Sequence, residues 1–199
     1  MKKSYVLKPS LTLFITAVIT IAALSAVYTL TAEPIEAQKQ KVRVAAMKEV
    51  LPEASEFTEL SDASAKSGSI TAVYEGRIAD NRAAGSNAAG SSIAGYVVQL
   101  SPEGYSGAID LIVGISVPGN KITGMRVLGH TETPGLGALA VKGNFYKQFD
   151  NRDLVPLNVV RTPAGADSIQ AITSATITSK AITGAVNEAI NWYNREVKK

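Results

Sequence analysis

In AIDLIVGISVPGNKITGMRVL, residues 108–128, two runs of β-branched and alternating residues flank Pro118-Gly119-Asn120. Ala108 to Val117 and Lys121 to Leu128 read as strands, and the residues between them favour a tight turn. The pattern predicts an antiparallel hairpin. Upstream, Ile70 to Ile78 and Ile93 to Leu100 carry the same strand character, so the hairpin is expected inside a larger antiparallel-rich sheet. Downstream the period changes. Ile177, Ala181, Ile182, Ala185, Val186, Ala189, Ile190 and Tyr193 recur at three- and four-residue spacing, which predicts a core-facing helix. A helix over Ala138 to Phe149 and a short strand near Leu157 to Val160 complete the series. Strands followed by packed helices make an α+β domain, and no internal repeat points to a solenoid.

At the N-terminus Lys2, Lys3 and Lys8 precede an uncharged run from Pro9 to Ala32, rich in Leu, Ile, Val, Phe and Ala. A helix over about 22 of these residues is roughly 33 Å long, enough to cross a bilayer. Its Thr hydroxyls are tolerable there because each can bond a carbonyl one turn back. The rival reading is a cleaved signal peptide. The length of the run and the mediocre cleavage site at Ala23-Leu24-Ser25 favour a retained anchor. The leading lysines lean toward a cytoplasmic N-terminus, although Lys39, Lys41 and Arg43 follow the span. Pro34 to about Leu51 reads as a further helix with a weak apolar face, ended by Pro52. Arg82 to Ser92, rich in Ala, Gly, Ser and Asn, reads as a loop.

The 199 residues leave room for one soluble domain of ordinary size beyond the apolar segment. There is no Cys, which excludes thiolate metal sites, iron–sulfur ligation and disulfides. Redox chemistry in this chain therefore requires an organic cofactor. The net charge of +3 is too small and too dispersed to suggest nucleic acid. His130, the single histidine, is expected to be structural or exposed, neither metal ligand nor catalytic base. No metal-ligand set is predicted.

Thr173-Ser174-Ala175-Thr176-Ile177-Thr178-Ser179 leads directly into the C-terminal helical pattern, so the helix begins within it. Its first N–H groups have no intrahelical partner, and with the helix dipole and clustered hydroxyls they suit a phosphate group. A Ser/Thr N-cap on a core-facing helix is the plainer reading of the same residues. Glu132-Thr133-Pro134-Gly135-Leu136-Gly137 has the composition of a turn. Pro134 stiffens it, and the two glycines allow close backbone approach. Gly104-Tyr105-Ser106-Gly107 is a second corner of that kind.

Together, the Thr-rich run and the Glu132–Gly137 run resemble the two signatures of the FMN-binding domain family. Thr173-Ser174-Ala175-Thr176 is similar to the family's flavinylation motif, usually Ser/Thr-Gly-Ala-Thr, in which the last Thr is esterified to the phosphate of FMN. Glu132 to Gly137 matches the second signature. Both occur in this order in the G subunit of Rnf electron-transport complexes and in the C subunit of sodium-pumping NADH:quinone oxidoreductases. The likeness runs from the anchor through the last helix. Two positions depart from it. Gln170 stands where the family commonly has Asp, six residues before the acceptor, with Asp167 out of register, and Ser174 replaces the usual Gly.

The resemblance implies one N-terminal transmembrane helix followed by a single extracytoplasmic α+β domain. Residues 1–32 would be the cytoplasmic N-terminus and anchor, 33–68 a helical linker, and 69–199 the FMN-binding domain. It implies FMN held covalently by a phosphoester to Thr176, with Thr173, Ser174, Ala175, Ile177 and Thr178 around the phosphate. Thr178 and Thr173 are the fallback acceptors. Glu132, Thr133, Pro134, Gly135, Leu136 and Gly137 would serve the ring, Leu136 lying against it; Glu132 either hydrogen-bonds the flavin or fixes the loop. The implied role is an electron carrier in a complex of the cytoplasmic membrane that couples electron transfer between ferredoxin and NAD+ to Na+ or H+ translocation. A sodium-pumping oxidoreductase C subunit and a freestanding membrane-anchored flavin module are the alternatives. The implied partners are the other subunits of the complex and a flavin transferase that takes FMN from FAD with a divalent metal. The chain would be that enzyme's substrate, with no catalytic residue of its own. A covalent bond suits a site outside the cytoplasm, where a loosely held carrier would be lost.

Overall fold

A computed structural model of the chain describes residues 4–61, 68–78, 92–142, 144–162 and 165–198. The chain separates into two compact units, residues 1–42 and 43–199. Helix α1 covers Ser4–Val50. In the first unit Leu11, Phe14, Ile19, Leu24 and Leu30 are all exposed. A helix that is apolar all round finds its partner in lipid, and among the described residues this is the one helix long and apolar enough to cross a membrane. Its hydroxyls are satisfied locally, as anticipated: Thr16 donates to the Leu13 carbonyl at 2.9 Å, Thr20 to Thr16 and Thr31 to Val27, both at 2.8 Å. The anchor and the segment from Pro34, expected as separate helices, are one element, with Pro34 inside it. Proline forfeits one intrahelical bond, but Ala32-Glu33 before it and Glu36-Ala37-Gln38-Lys39 after it are strong helix formers. The helix stops at Val50, ahead of Pro52.

The second unit is built on a six-stranded sheet: β1 (Glu56–Glu59), β2 (Ile70–Arg77), β3 (Ile93–Leu100), β4 (Ile109–Ser116), β5 (Lys121–His130) and β6 (Arg152–Asp153). Every strand pairs antiparallel with its neighbour in the chain. The predicted hairpin is β4 and β5, joined through Asn120 at φ +46°, a conformation Asn tolerates. Tyr193 donates a hydrogen bond to the Asn120 side chain at 3.1 Å and so ties the C-terminal helix to the turn.

Alternation along the strands gives two buried faces. Leu111, Val113 and Ile115 of β4 face a core that includes Ile182, Val186, Ala189 and Ile190 of α3 (Thr176–Glu196). Tyr96 meets Trp192 and Tyr193 edge-on there, with ring centroids 5.5 and 6.2 Å apart. On the opposite face Met47, Val50, Leu51 and Ala54 cover Ala72, Ala94, Val97 and Ile112. The Thr123 hydroxyl donates to the Val50 carbonyl, and Arg126 bonds Glu49 at 2.6 Å while its guanidinium lies 4.4 Å from the Tyr146 ring centre.

Two expectations need adjusting. The helix predicted over Ala138 to Phe149 is instead a short α2 (Leu139–Lys142) and a 3-10 turn (Tyr146–Phe149). Gly143-Asn144 between them are poor helix formers, and Phe145 and Phe149 bury their rings edge-to-face at 5.5 Å. The expected strand near Leu157 is β7 (Asn158–Val160), paired in parallel with β8 (Ser168–Gln170). Strand β1 arises inside the stretch read as a linker; residues 62–67 of that stretch, and 82–91 of the expected loop, lie outside the described residues.

Candidate functional site

The Thr-rich run is held from both sides. Ahead of it, the Gln148 side-chain amide brackets the backbone of Gln170, accepting from its N–H at 2.7 Å and donating to its carbonyl at 3.1 Å. Asn187 of α3 brackets Leu157 in the same way, at 2.8 and 2.9 Å. Behind it, the buried Ser179 hydroxyl accepts from the Ile172 N–H and donates to the Ala175 carbonyl, both at 2.9 Å. The chain between β8 and α3 therefore turns in a fixed shape. That turn requires Ser174 at φ +64°, in the left-handed region where an L-residue is strained and Gly is not. The position where Ser replaces the usual Gly of the resembling motif is thus one with a backbone reason for Gly.

The N-cap of α3 is Ala175, with no side-chain capping bond. The plainer expectation, a Ser/Thr cap, does not hold, because every nearby hydroxyl is used otherwise or points to solvent. Thr178 and Ser179 are buried and bonded, whereas Thr173, Ser174 and Thr176 are exposed. Thr176 is the first residue of the helix, and its hydroxyl makes no hydrogen bond among the described residues. An exposed hydroxyl thus stands at the positive end of a 21-residue helix whose first N–H groups no side chain caps.

Glu132 joins this helix end to two loops. Its Oε1 accepts from the N–H groups of Tyr105 and Ser106 at 2.7 and 3.0 Å, and its Oε2 accepts from the Thr178 hydroxyl at 2.8 Å. Its own N–H donates to His130 Nδ1 at 3.1 Å, which is where the single histidine is used. Burial pushes the Glu132 carboxyl up. The hydrogen bonds from Ser106, Thr178 and Tyr105, helped by attraction to His130, outweigh it and hold the group below the usual carboxylate range. Of the two roles open to Glu132, these contacts support fixing the loop. They also explain Gly137, since a Cβ there would lie 2.2 Å from Oε2. Between them Thr133-Pro134-Gly135-Leu136 closes a turn, the Leu136 N–H reaching the Thr133 carbonyl at 3.2 Å with Gly135 at φ +79°.

The result is one cavity of about 420 Å³, within the usual range for ligand sites. Glu132, Thr133, Leu136 and Gly137 line one side, and Ser174, Ala175, Thr176, Ile177 and Thr178 the other. The two runs, some forty residues apart in sequence, therefore meet. Pro134, Gly135 and Thr173 are not in the wall, and Thr178 is closed off by its bond to Glu132. Gln170 directs its amide to the Arg161 carbonyl at 3.4 Å, and Asp167 accepts from Asn158 at 3.0 Å, so neither lines the cavity. Tyr105, to which sequence reasoning assigns no role, does line it, with 72% of its surface exposed. Its signal was an aromatic placed inside the Gly-rich corner. Leu136 and Ile177 add exposed apolar surface, which together with Tyr105 suits a flat aromatic ligand; the uncapped helix end suits its phosphate.

Residues 104–191 match the family described as the FMN-binding domain, and residues 1–50 match the RnfG N-terminal region. The G subunit of the Na(+)-translocating ferredoxin:NAD(+) oxidoreductase complex of Acetobacterium woodii is 34% identical over 202 residues, covering 94% of this chain and 91% of that one. The G subunit of the proton-translocating complex of Clostridium ljungdahlii is 45% identical over 95 residues, 48% of this chain; the match spans about half, 51%, of that protein. Among solved structures, NqrC of Shewanella oneidensis superposes with a TM-score of 0.50 over 73% of this chain and 72% of that chain. At 16% identity it shares the fold.

Proposed function

Because this chain belongs to the family of G subunits of ion-translocating oxidoreductase complexes, which carry an FMN-binding domain, we propose that it is an electron carrier with FMN bound covalently through a phosphoester to Thr176. The observation that carries the reading is the uncapped N-terminus of α3, with the exposed Thr176 hydroxyl at its first position, opening into the same cavity as the Glu132–Gly137 loop.

FMN supplies the reversible electron acceptance that no side chain here offers. The chain's own residues bind and orient it. The first N–H groups of α3 and its dipole receive the phosphate. Leu136, Ile177 and Tyr105 offer apolar surface to the ring, and Glu132 keeps the two walls in register. A Thr hydroxyl is not acidic enough to attack a pyrophosphate unaided, and the residues around Thr176 offer no general base except a carboxylate already committed to three donors. Loading therefore falls to a separate flavin transferase. We infer that the domain lies outside the cytoplasm, anchored by α1, and passes electrons between redox centres of neighbouring subunits. The complex couples flow between ferredoxin and NAD+ to Na+ or H+ movement.

The test is ultraviolet fluorescence of the denatured protein on a gel, with parent and Thr176→Val each expressed beside a flavin transferase. Emission from the parent and none from the variant is expected. A dark parent band overturns covalent attachment, and emission surviving in T176V moves it to another residue.

A further inference from the structure

Among the described residues Glu132 is the one charged side chain that is buried, with 6% of its surface exposed. It is also the one charged side chain in the wall of the cavity. Its hydrogen-bonding duty does not require the charge. A Gln there could accept from the Tyr105 and Ser106 N–H groups with its carbonyl and donate to the Thr178 hydroxyl with its amide. A buried carboxylate carries a desolvation cost, which here is met by three donors that keep the group ionised at neutral pH. Gly137, also in the wall, packs against the carboxylate and offers bare backbone with no screening side chain. The groups that face it are His130 on its own strand end, whose Nδ1 accepts from the Glu132 N–H, and the partial positive end of α3.

Resting on the reading of this cavity as the flavin site, we propose that the Glu132 carboxylate sets the reduction potential of the bound flavin. A fixed negative charge beside the cavity opposes the negative charge that arrives with electrons, and so keeps the carrier at a lower potential than a neutral wall would. Glu132 acts through space and through the segments it holds. It is a positioning and electrostatic residue, since both of its oxygens are occupied by protein donors.

The test is a spectroscopic redox titration of the full-length flavinylated protein and of Glu132→Gln, each first checked for covalent fluorescence. In E132Q the ratio of reduced to oxidised flavin at a fixed solution potential should rise about tenfold, the scale of one charge acting over several ångströms at a protein-like dielectric. That corresponds to an upward shift of about 30 mV for a two-electron couple. An unchanged midpoint in fluorescent, folded E132Q overturns the proposal. If E132Q takes up too little flavin to titrate, Thr178→Val replaces it. That variant keeps the carboxylate and removes one donor that neutralises it, so its midpoint should fall below the parent's; an unchanged one overturns the proposal. A dark parent band fails earlier, at the flavin reading itself, and takes this inference with it.

Discussion

The threonines of α1 and those at the start of α3 use their hydroxyls in opposite ways. In α1, Thr16, Thr20, Thr29 and Thr31 each donate to a carbonyl three or four residues back, so the hydroxyl is satisfied without leaving the helix. At the start of α3, Thr178 reaches sideways to Glu132, 46 residues away, and Thr176 makes no hydrogen bond among the described residues. A span surrounded by lipid must satisfy its polar groups internally, whereas a helix end in water can leave a hydroxyl for a ligand. The same residue type is inert in one place and chemically available in the other because of what surrounds the backbone.

The sharpest way to break this contrast is Glu132→Ala. It leaves two part-buried N–H groups and the buried Thr178 hydroxyl without their acceptor, and should lower the stability of the domain by about 2 kcal/mol or more, read from thermal melts of the full-length protein. A loss below about 1 kcal/mol would show that water replaces the carboxylate and that α3 is as locally satisfied as α1. Acid sharpens the same point. The folded carboxyl of Glu132 titrates below its unfolded value, so its contribution is complete above the ordinary carboxylate pKa and is lost as pH falls through the lower folded value. Melts of the parent from roughly pH 5 down to about 3, across the carboxylate range, should show an acid-side loss that E132Q lacks. A smaller effect of opposite sign is expected of Ser174→Gly, which relieves the left-handed backbone and should stabilise by roughly 0.5–1 kcal/mol. Destabilisation there would mean that the Ser174 hydroxyl matters more than its φ. Last, Thr20→Val in α1 should leave the melt of the domain unchanged, and a measurable shift would show that its hydroxyl bonds outside its own helix.

What the sequence made legible follows the same line. The hairpin over 108–128, strand β3 and the buried stripe of α3 could be read because each is written in a local period. The anchor could be read because its apolar run needs no tertiary partner. Strands β1, β6 and β8 have four residues or fewer, too few to show a period, and exist because a neighbour offers its edge. The separation of α2 from the 3-10 turn could have been read from the poor helix formers Gly143-Asn144 in the sequence, but the apolar residues on either side outweighed them. At the site, both runs could be found from their composition, yet not the bond that joins them. The positive φ of Ser174, the occupation of Glu132 by three donors and the presence of Tyr105 in the wall all depend on how distant segments meet.

The sheet has a further consequence, for the order in which the molecule is made. Because each strand pairs with the strand just before it in the chain, the sheet can grow edge by edge as the polypeptide emerges, with little loop-closure cost at each addition. The cavity does not share this property. One wall comes from residues 105–137 and the other from 174–178, at the head of the last helix. The hydroxyl of Thr176 is therefore offered in its final setting only after the chain through α3 has been synthesised and α3 has closed over the sheet. A flavin found on Thr176 would then mark a finished fold, and the fraction of chains that fluoresce would count the molecules that completed it.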